Sequence, residues 1–246
     1  MSRNYSKWLM LIILPAWVFV GFSAAQLLLS GLMTVFSLVG ISLSWLSPAV
    51  LNTSLAALLY LITLLIVIGM PWLIRKSTTT MNDIGLGRLM SWTDILMTPA
   101  GLIIYLILSS VLILTATKLL PWFDVNQIQD NGFDQLGQRY EYMLAFITLV
   151  IIAPVSEEII FRGYLYGKLK KFVPVWVSII ATSLLFGAIH GSWNLAVDTF
   201  ALSIVLCLLR EITGSIWSSI LLHMTKNGIA FYILFINPLL LATMVR

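Results

Sequence analysis

Val155-Ser156-Glu157-Glu158-Ile159-Ile160-Phe161-Arg162 decides the reading of this chain, because it sets charged residues inside an apolar run that begins near Tyr140 and ends at the basic cluster Lys168, Lys170 and Lys171. Such a run is long enough to cross a bilayer, for which about 20 mostly apolar residues suffice. Charges within a span are costly and usually mark a function. Glu158 and Arg162 are four residues apart with the carboxylate N-terminal, so they share a helix face in the better order for an ion pair. Adjacent helical residues diverge by about 100°, which leaves Glu157 pointing elsewhere and able to face a cavity.

The remainder of the 246 residues carries the same apolar signature. Hydrophobic residues make up 60% and charged residues 10%, against about 45–50% and about 25% in a soluble domain, which excludes a water-soluble globule. The apolar stretches are continuous and lack the alternating polar positions of a barrel strand. The expected fold class is therefore all-α, a polytopic helical membrane bundle. Spans are expected at about Trp8 to Met33, Leu51 to Ile74, Ala100 to Leu120, Tyr140 to the lysine cluster, Pro174 to Ile189, Leu195 to Leu209, and Gly214-Ser215 to about Leu241. That makes seven, with an eighth if residues near Thr34 to Leu46 insert. The first run exceeds the roughly 7–15-residue core of a signal peptide and reads as an uncleaved span. Ser77 to Pro99 reads as a surface loop with a short interfacial helix around Trp92. Pro121 to Arg139, with Asp124, Asp130 and Asp134, reads as an aqueous loop.

The net charge of +4 does not point to nucleic acid, because the basic residues sit at the ends of apolar runs, where lipid head groups explain them. An N-terminus inside the cell places Arg75, Lys76, Arg88, Lys168 to Lys171 and Arg210 inside and the acidic loop outside, as the positive-inside rule expects. Cys207 is the only cysteine, so an intramolecular disulfide is impossible and its thiol reads as packing. Asp198 reads as an interhelical hydrogen-bond partner and Asn194 as a helix N-cap.

The only histidines, His190 and His223, also lie at or within late apolar segments, and Asn227 follows His223 by one helical turn. At a rise of about 1.5 Å per residue, Glu157, His223 and His190 sit about 16, 18 and 24 Å from the inner edge, which is compatible with one site. A carboxylate beside a histidine can hold a water and remove its proton. A second histidine and an asparagine amide can donate to a developing oxyanion. The set is complete for amide hydrolysis without a covalent nucleophile. Glu157, His190 and His223 could instead ligate zinc, although no His-Glu-x-x-His motif is present.

Glu157-Glu158-x-x-x-Arg162, Phe186-x-x-x-His190 and His223-x-x-x-Asn227, in that order, resemble the three motifs of the CPBP family, also called Abi or CAAX-protease-like intramembrane proteases. The flank Thr213-Gly214-Ser215-Ile216-Trp217 is similar to the family too. The resemblance covers about Tyr140 to Ile236, so residues 1–246 read as a single membrane domain with a catalytic core at 140–236. It implies a membrane endopeptidase in which Glu157 is the water-activating base with His190, and His223 and Asn227 stabilise the oxyanion. Glu158 with Arg162 is then the supporting pair and Phe186 a packing residue. It also implies a glutamate mechanism that requires no metal, with zinc as the alternative. The implied partners are the bilayer and a membrane protein or peptide substrate. The implied location is a bacterial plasma membrane. A non-catalytic immunity or interaction protein of the same family is the competing reading, and a proton-coupled transporter using Glu157, Glu158 and Asp198 is a third.

Overall fold

Backbone polar groups in lipid must be satisfied within their own segment, which apolar runs achieve as helices. The computed structural model describes residues 2–76, 78–125, 127, 133 and 136–238, without the side chains of residues 2–6 and 75. These residues form eight helices: α1 (Ser2–Leu38), α2 (Pro48–Ile74), α3 (Met81–Ile84), α4 (Trp92–Leu119), α5 (Arg139–Leu169), α6 (Val175–Ala188), α7 (Trp193–Thr213) and α8 (Trp217–Ile236). No strand occurs among the described residues. The chain is an all-α integral membrane protein.

Five helices, α1, α2, α4, α5 and α8, are by themselves long and apolar enough to cross a bilayer. The other two expected spans are also helices, but of a different kind. With 14 residues, α6 is only about 21 Å long, short of the roughly 30 Å hydrocarbon core. In α7, Asp198, Arg210 and Glu211 interrupt the apolar sequence.

Several boundaries differ from the sequence expectation for local reasons. Helix α4 begins at Trp92 rather than Ala100, because Ser91 and Asp94 form a capping box and Pro99 is absorbed inside the helix. The short helix of that connection is α3, closed by the Thr80–Asp83 capping box. Helix α1 runs on to Leu38, and no separate helix forms between Val39 and Leu46. Ser192, not Asn194, occupies the N-cap position of α7. The Asn194 amide instead donates to the carbonyls of Val125 and Gln127 at 3.1 and 3.0 Å. Asp130, Asp134 and the expected last turn at 239–241 lie outside the described residues.

The described chain divides into two compact units, one of residues 1–18, 78–129 and 157–223, the other of residues 19–77, 130–156 and 224–246. In the first unit α7 packs against both α4 and α6. Its apolar core gathers Tyr105, Leu202, Val205, Leu206, Leu209 and Leu222. Asp198 accepts hydrogen bonds from Tyr105 Oη at 2.7 Å and Ser109 Oγ at 2.6 Å, one turn apart on α4, so it ties α7 to α4. The basic connections of this unit meet at one end, where Lys171 pairs with Asp83 at 2.8 Å and Arg88 donates to the carbonyl of Thr213 at 3.1 Å.

In the second unit α2 packs against the first half of α5, with the hydroxyls of Thr53 and Thr148 3.0 Å apart. Three widened π-type turns, Leu65–Gly69, Ile147–Ile152 and Tyr232–Ile236, each end two residues before a proline: Pro71, Pro154 and Pro238. A proline donates no N–H and its ring clashes with the carbonyl four residues back, and a widened turn relieves that clash without breaking the helix.

Candidate active site

The second half of α5 carries the charges into the first unit. Glu158 is 0% exposed and Glu157 9%, so both carboxylates are buried. Glu158 Oε1 accepts from Arg162 Nη1 at 2.9 Å and from His223 Nδ1 at 2.8 Å. Glu157 Oε2 lies 3.7 Å from His223 Nε2. The His223 ring is thus flanked by a carboxylate at each nitrogen. Donation from Nδ1 to a carboxylate leaves Nε2 as the nitrogen presented to Glu157.

His190, in the turn just after α6, has its Nδ1 2.6 Å from the carbonyl of Phe186. Phe186 is fully buried and touches more of the site than its expected packing role required. Its ring centroid lies 4.8 Å from that of His190, 5.9 Å from that of His223 and 4.9 Å from that of Phe161, with Arg162 Cζ 4.3 Å above its face. Glu157, Glu158, Arg162, Phe186, His190 and His223 therefore form one linked set.

Asn227 follows one turn later on α8 and falls in the second unit, where its Nδ2 donates to the carbonyl of Leu149 at 2.9 Å. The reason is local to α5. In the widened turn the N–H of Ala153 bonds the carbonyl of Thr148. The next carbonyl in that register, Leu149, would take its bond from residue 154, and Pro154 has no N–H. The Asn227 amide supplies the missing donor.

The flank Thr213 to Trp217 docks the 85–88 segment of the first unit. The carbonyl of Gly85 accepts from Ile216 N at 3.2 Å and from Ser215 Oγ at 3.0 Å, and Trp217 Nε1 donates to the carbonyl of Arg88 at 2.9 Å. The neighbouring Ile84 lies against Gly163 on α5, where a Cβ would come within 2.9 Å of Ile84 Cβ. In the same connection the Lys171 ammonium, with the Thr80 backbone and hydroxyl, holds the Asp83 carboxyl well below the usual carboxylate range.

Among the described residues no group of three His, Cys, Asp or Glu side chains converges as a metal site. Glu158 already engages His223 Nδ1, and the same carboxylate oxygen engages Arg162. The Glu158–His223 bond joins residues 65 apart and has no signal in the sequence. Phe186 stacking on Arg162 is equally silent there.

Residues 139–229 match the family described as Type II CAAX prenyl endopeptidase Rce1-like, a stretch of well under half the chain. The chain is 31% identical over 98 residues to the "Uncharacterized 24.3 kDa protein" of Escherichia coli, covering 37% of this chain and 45% of that protein. It is 27% identical over 125 residues to the "Uncharacterized protein YpbD" of Bacillus subtilis, covering 48% of this chain and 61% of that protein. It is 23% identical over 109 residues to the "Membrane-embedded CAAX protease MroQ" of Staphylococcus aureus, covering 42% and 43%. These matches span about half the length of the relatives. No solved structure matches the chain. The segment that bears the three motifs is thus similar to the Type II CAAX prenyl endopeptidase Rce1-like family and lies within an integral membrane protein.

Proposed function

We propose that this protein is an intramembrane endopeptidase that hydrolyses peptide bonds of membrane-associated proteins or peptides. The observation that carries the reading is the His223 ring flanked by Glu158 at Nδ1 and Glu157 at Nε2, inside apolar helices. Glu158 pairs with Arg162, and we assign the base to the adjacent Glu157 beside His223 Nε2. Glu157 takes a proton from water as the water oxygen bonds to the scissile carbonyl carbon. The same proton passes to the leaving amine as the C–N bond breaks. His190 helps Glu157 to hold the water.

His223 Nε2 faces the developing oxyanion and donates to it. The mechanism requires no metal. We place the protein in a bacterial plasma membrane with the N-terminus in the cytoplasm, the side on which the basic connections gather. A membrane-peptide library offered to purified wild type and Glu157→Gln tests the reading. Cleavage by wild type that is lost in a folded Glu157→Gln variant and resists a chelator supports it. Cleavage retained by Glu157→Gln overturns it.

A further inference from the structure

The Glu158–Arg162 pair is fully buried, charged and only half used. Glu158 Oε1 takes both hydrogen bonds, while Glu158 Oε2 makes none and Arg162 Nε and Nη2 have at most the weak acceptor of the Cys207 thiol. The buried hydroxyls of Thr182 and Ser183 on α6 are also without partners, and that of Ser203 on α7 has only the same thiol beside it. Helix register brings them to the guanidinium. Ile179 packs with Cys207 and Tyr166, and Phe186 lies under Arg162. Thr182 and Ser183 fall between Ile179 and Phe186, three or four residues from each, on the face that α6 turns to Arg162. Cys207, one turn after Ser203 on α7, lies beside both Arg162 and Ser203. All these groups belong to the first unit.

The unpartnered atoms are complementary. Arg162 offers N–H donors, Glu158 Oε2 an acceptor, and each hydroxyl can do either. Buried polar groups left without protein partners are met by ordered water, which takes about two to four polar neighbours. The Asp198 cluster of the same unit makes the contrast, since its carboxylate is met directly by Tyr105 and Ser109.

We propose that this layer is a hydration site: ordered water binds between Arg162, Glu158 Oε2 and the hydroxyls of Thr182, Ser183 and Ser203, behind the Glu157–His223 pair. The water completes the ion pair, and Glu158 in turn holds His223 Nδ1. Thr182, Ser183 and Ser203 are thereby positioning residues. The proposal does not depend on peptidase activity and is tested without it. Hydroxyl radicals generated by X-rays in the full-length protein, purified in detergent, label side chains next to bound water even where exposure is nil. Cys207 and its neighbour Leu206 are both 0% exposed, so exposure cannot separate them. After correction for intrinsic reactivity, Cys207 is expected to label about tenfold faster than Leu206, because only Cys207 adjoins the proposed water. Ser183→Val with Ser203→Val, which removes the two hydroxyls and fills their space with methyls, should bring Cys207 down to the Leu206 rate. Equal rates in wild type overturn the proposal, and that comparison stands even if the double variant does not fold. Undiminished Cys207 labelling in a folded double variant overturns the assignment to these hydroxyls.

Discussion

Glu158 Oε1 receives His223 Nδ1 at 2.8 Å and Arg162 Nη1 at 2.9 Å, so one oxygen ties α8 to the middle of α5 and neutralises a buried guanidinium. Replacing Glu158 with Gln leaves Arg162 buried without its counter-charge. The expected cost is about 3–5 kcal/mol, seen as a fall in the thermal unfolding midpoint in detergent. The double substitution Glu158→Leu, Arg162→Met removes both charges and should recover most of that stability. Cleavage should stay lost in it, since His223 has no anchor. A double variant as unstable as Glu158→Gln would show that the charge is not what the single change exposes.

Asn227 supplies the donor that Pro154 withholds from the Leu149 carbonyl. Asn227→Ala should destabilise by about 1–3 kcal/mol, the cost of a buried carbonyl left unpaired. In a Pro154→Ala background the backbone N–H returns and most of that cost should disappear. A double-mutant cycle on unfolding midpoints measures the coupling. Strict additivity would remove the compensation between these two residues.

Gly163 gives Ile84 its place on α5, where an added Cβ would fall 2.9 Å from Ile84 Cβ. Gly163→Ala should cost about 1–3 kcal/mol through overpacking. In a double-mutant cycle with Ile84→Gly, which removes that Cβ, Gly163→Ala should cost less than it does in wild type. An equal cost in the two backgrounds would show that the close approach is not the source of the penalty.

The Asp83 carboxyl is held below its ordinary value by the Lys171 ammonium and by the backbone and hydroxyl of Thr80. A depressed carboxylate contributes stability above its unfolded value, about 3.9, and loses it as the pH falls through the folded one. Wild type should therefore show no change from this group between about pH 7 and 5, and a loss only below about pH 4. Asp83→Asn should lack that acid-side loss and cost no more than about 1 kcal/mol at neutral pH, because the pair is partly exposed. Unfolding midpoints as a function of pH for the two proteins measure both.

Particular residues show where legibility stopped. The spans around Leu51 to Ile74 and Tyr140 to the lysine cluster were legible because apolar length alone specifies a membrane helix. The start of α4 was misplaced at Ala100, because a Pro99 within the first turns looks like a boundary while Ser91 and Asp94 close the helix earlier. Asn194 was misplaced as a cap because its partners, Val125 and Gln127, lie 69 and 67 residues away. The Glu158–Arg162 pair was legible from spacing, since residues four apart on a helix meet whatever surrounds them.

The sequence by itself determined an all-α membrane protein and which of two adjacent carboxylates pairs with Arg162. Those are consequences of hydropathy and of a fixed angle per residue, which act within one segment. Only the tertiary structure decided that His223 stands between Glu157 and Glu158, that Phe186 lies under Arg162, and that Asn227 answers the carbonyl freed by Pro154. Each of these joins helices distant in sequence, and one helix's periodicity carries no information about which face of another it meets.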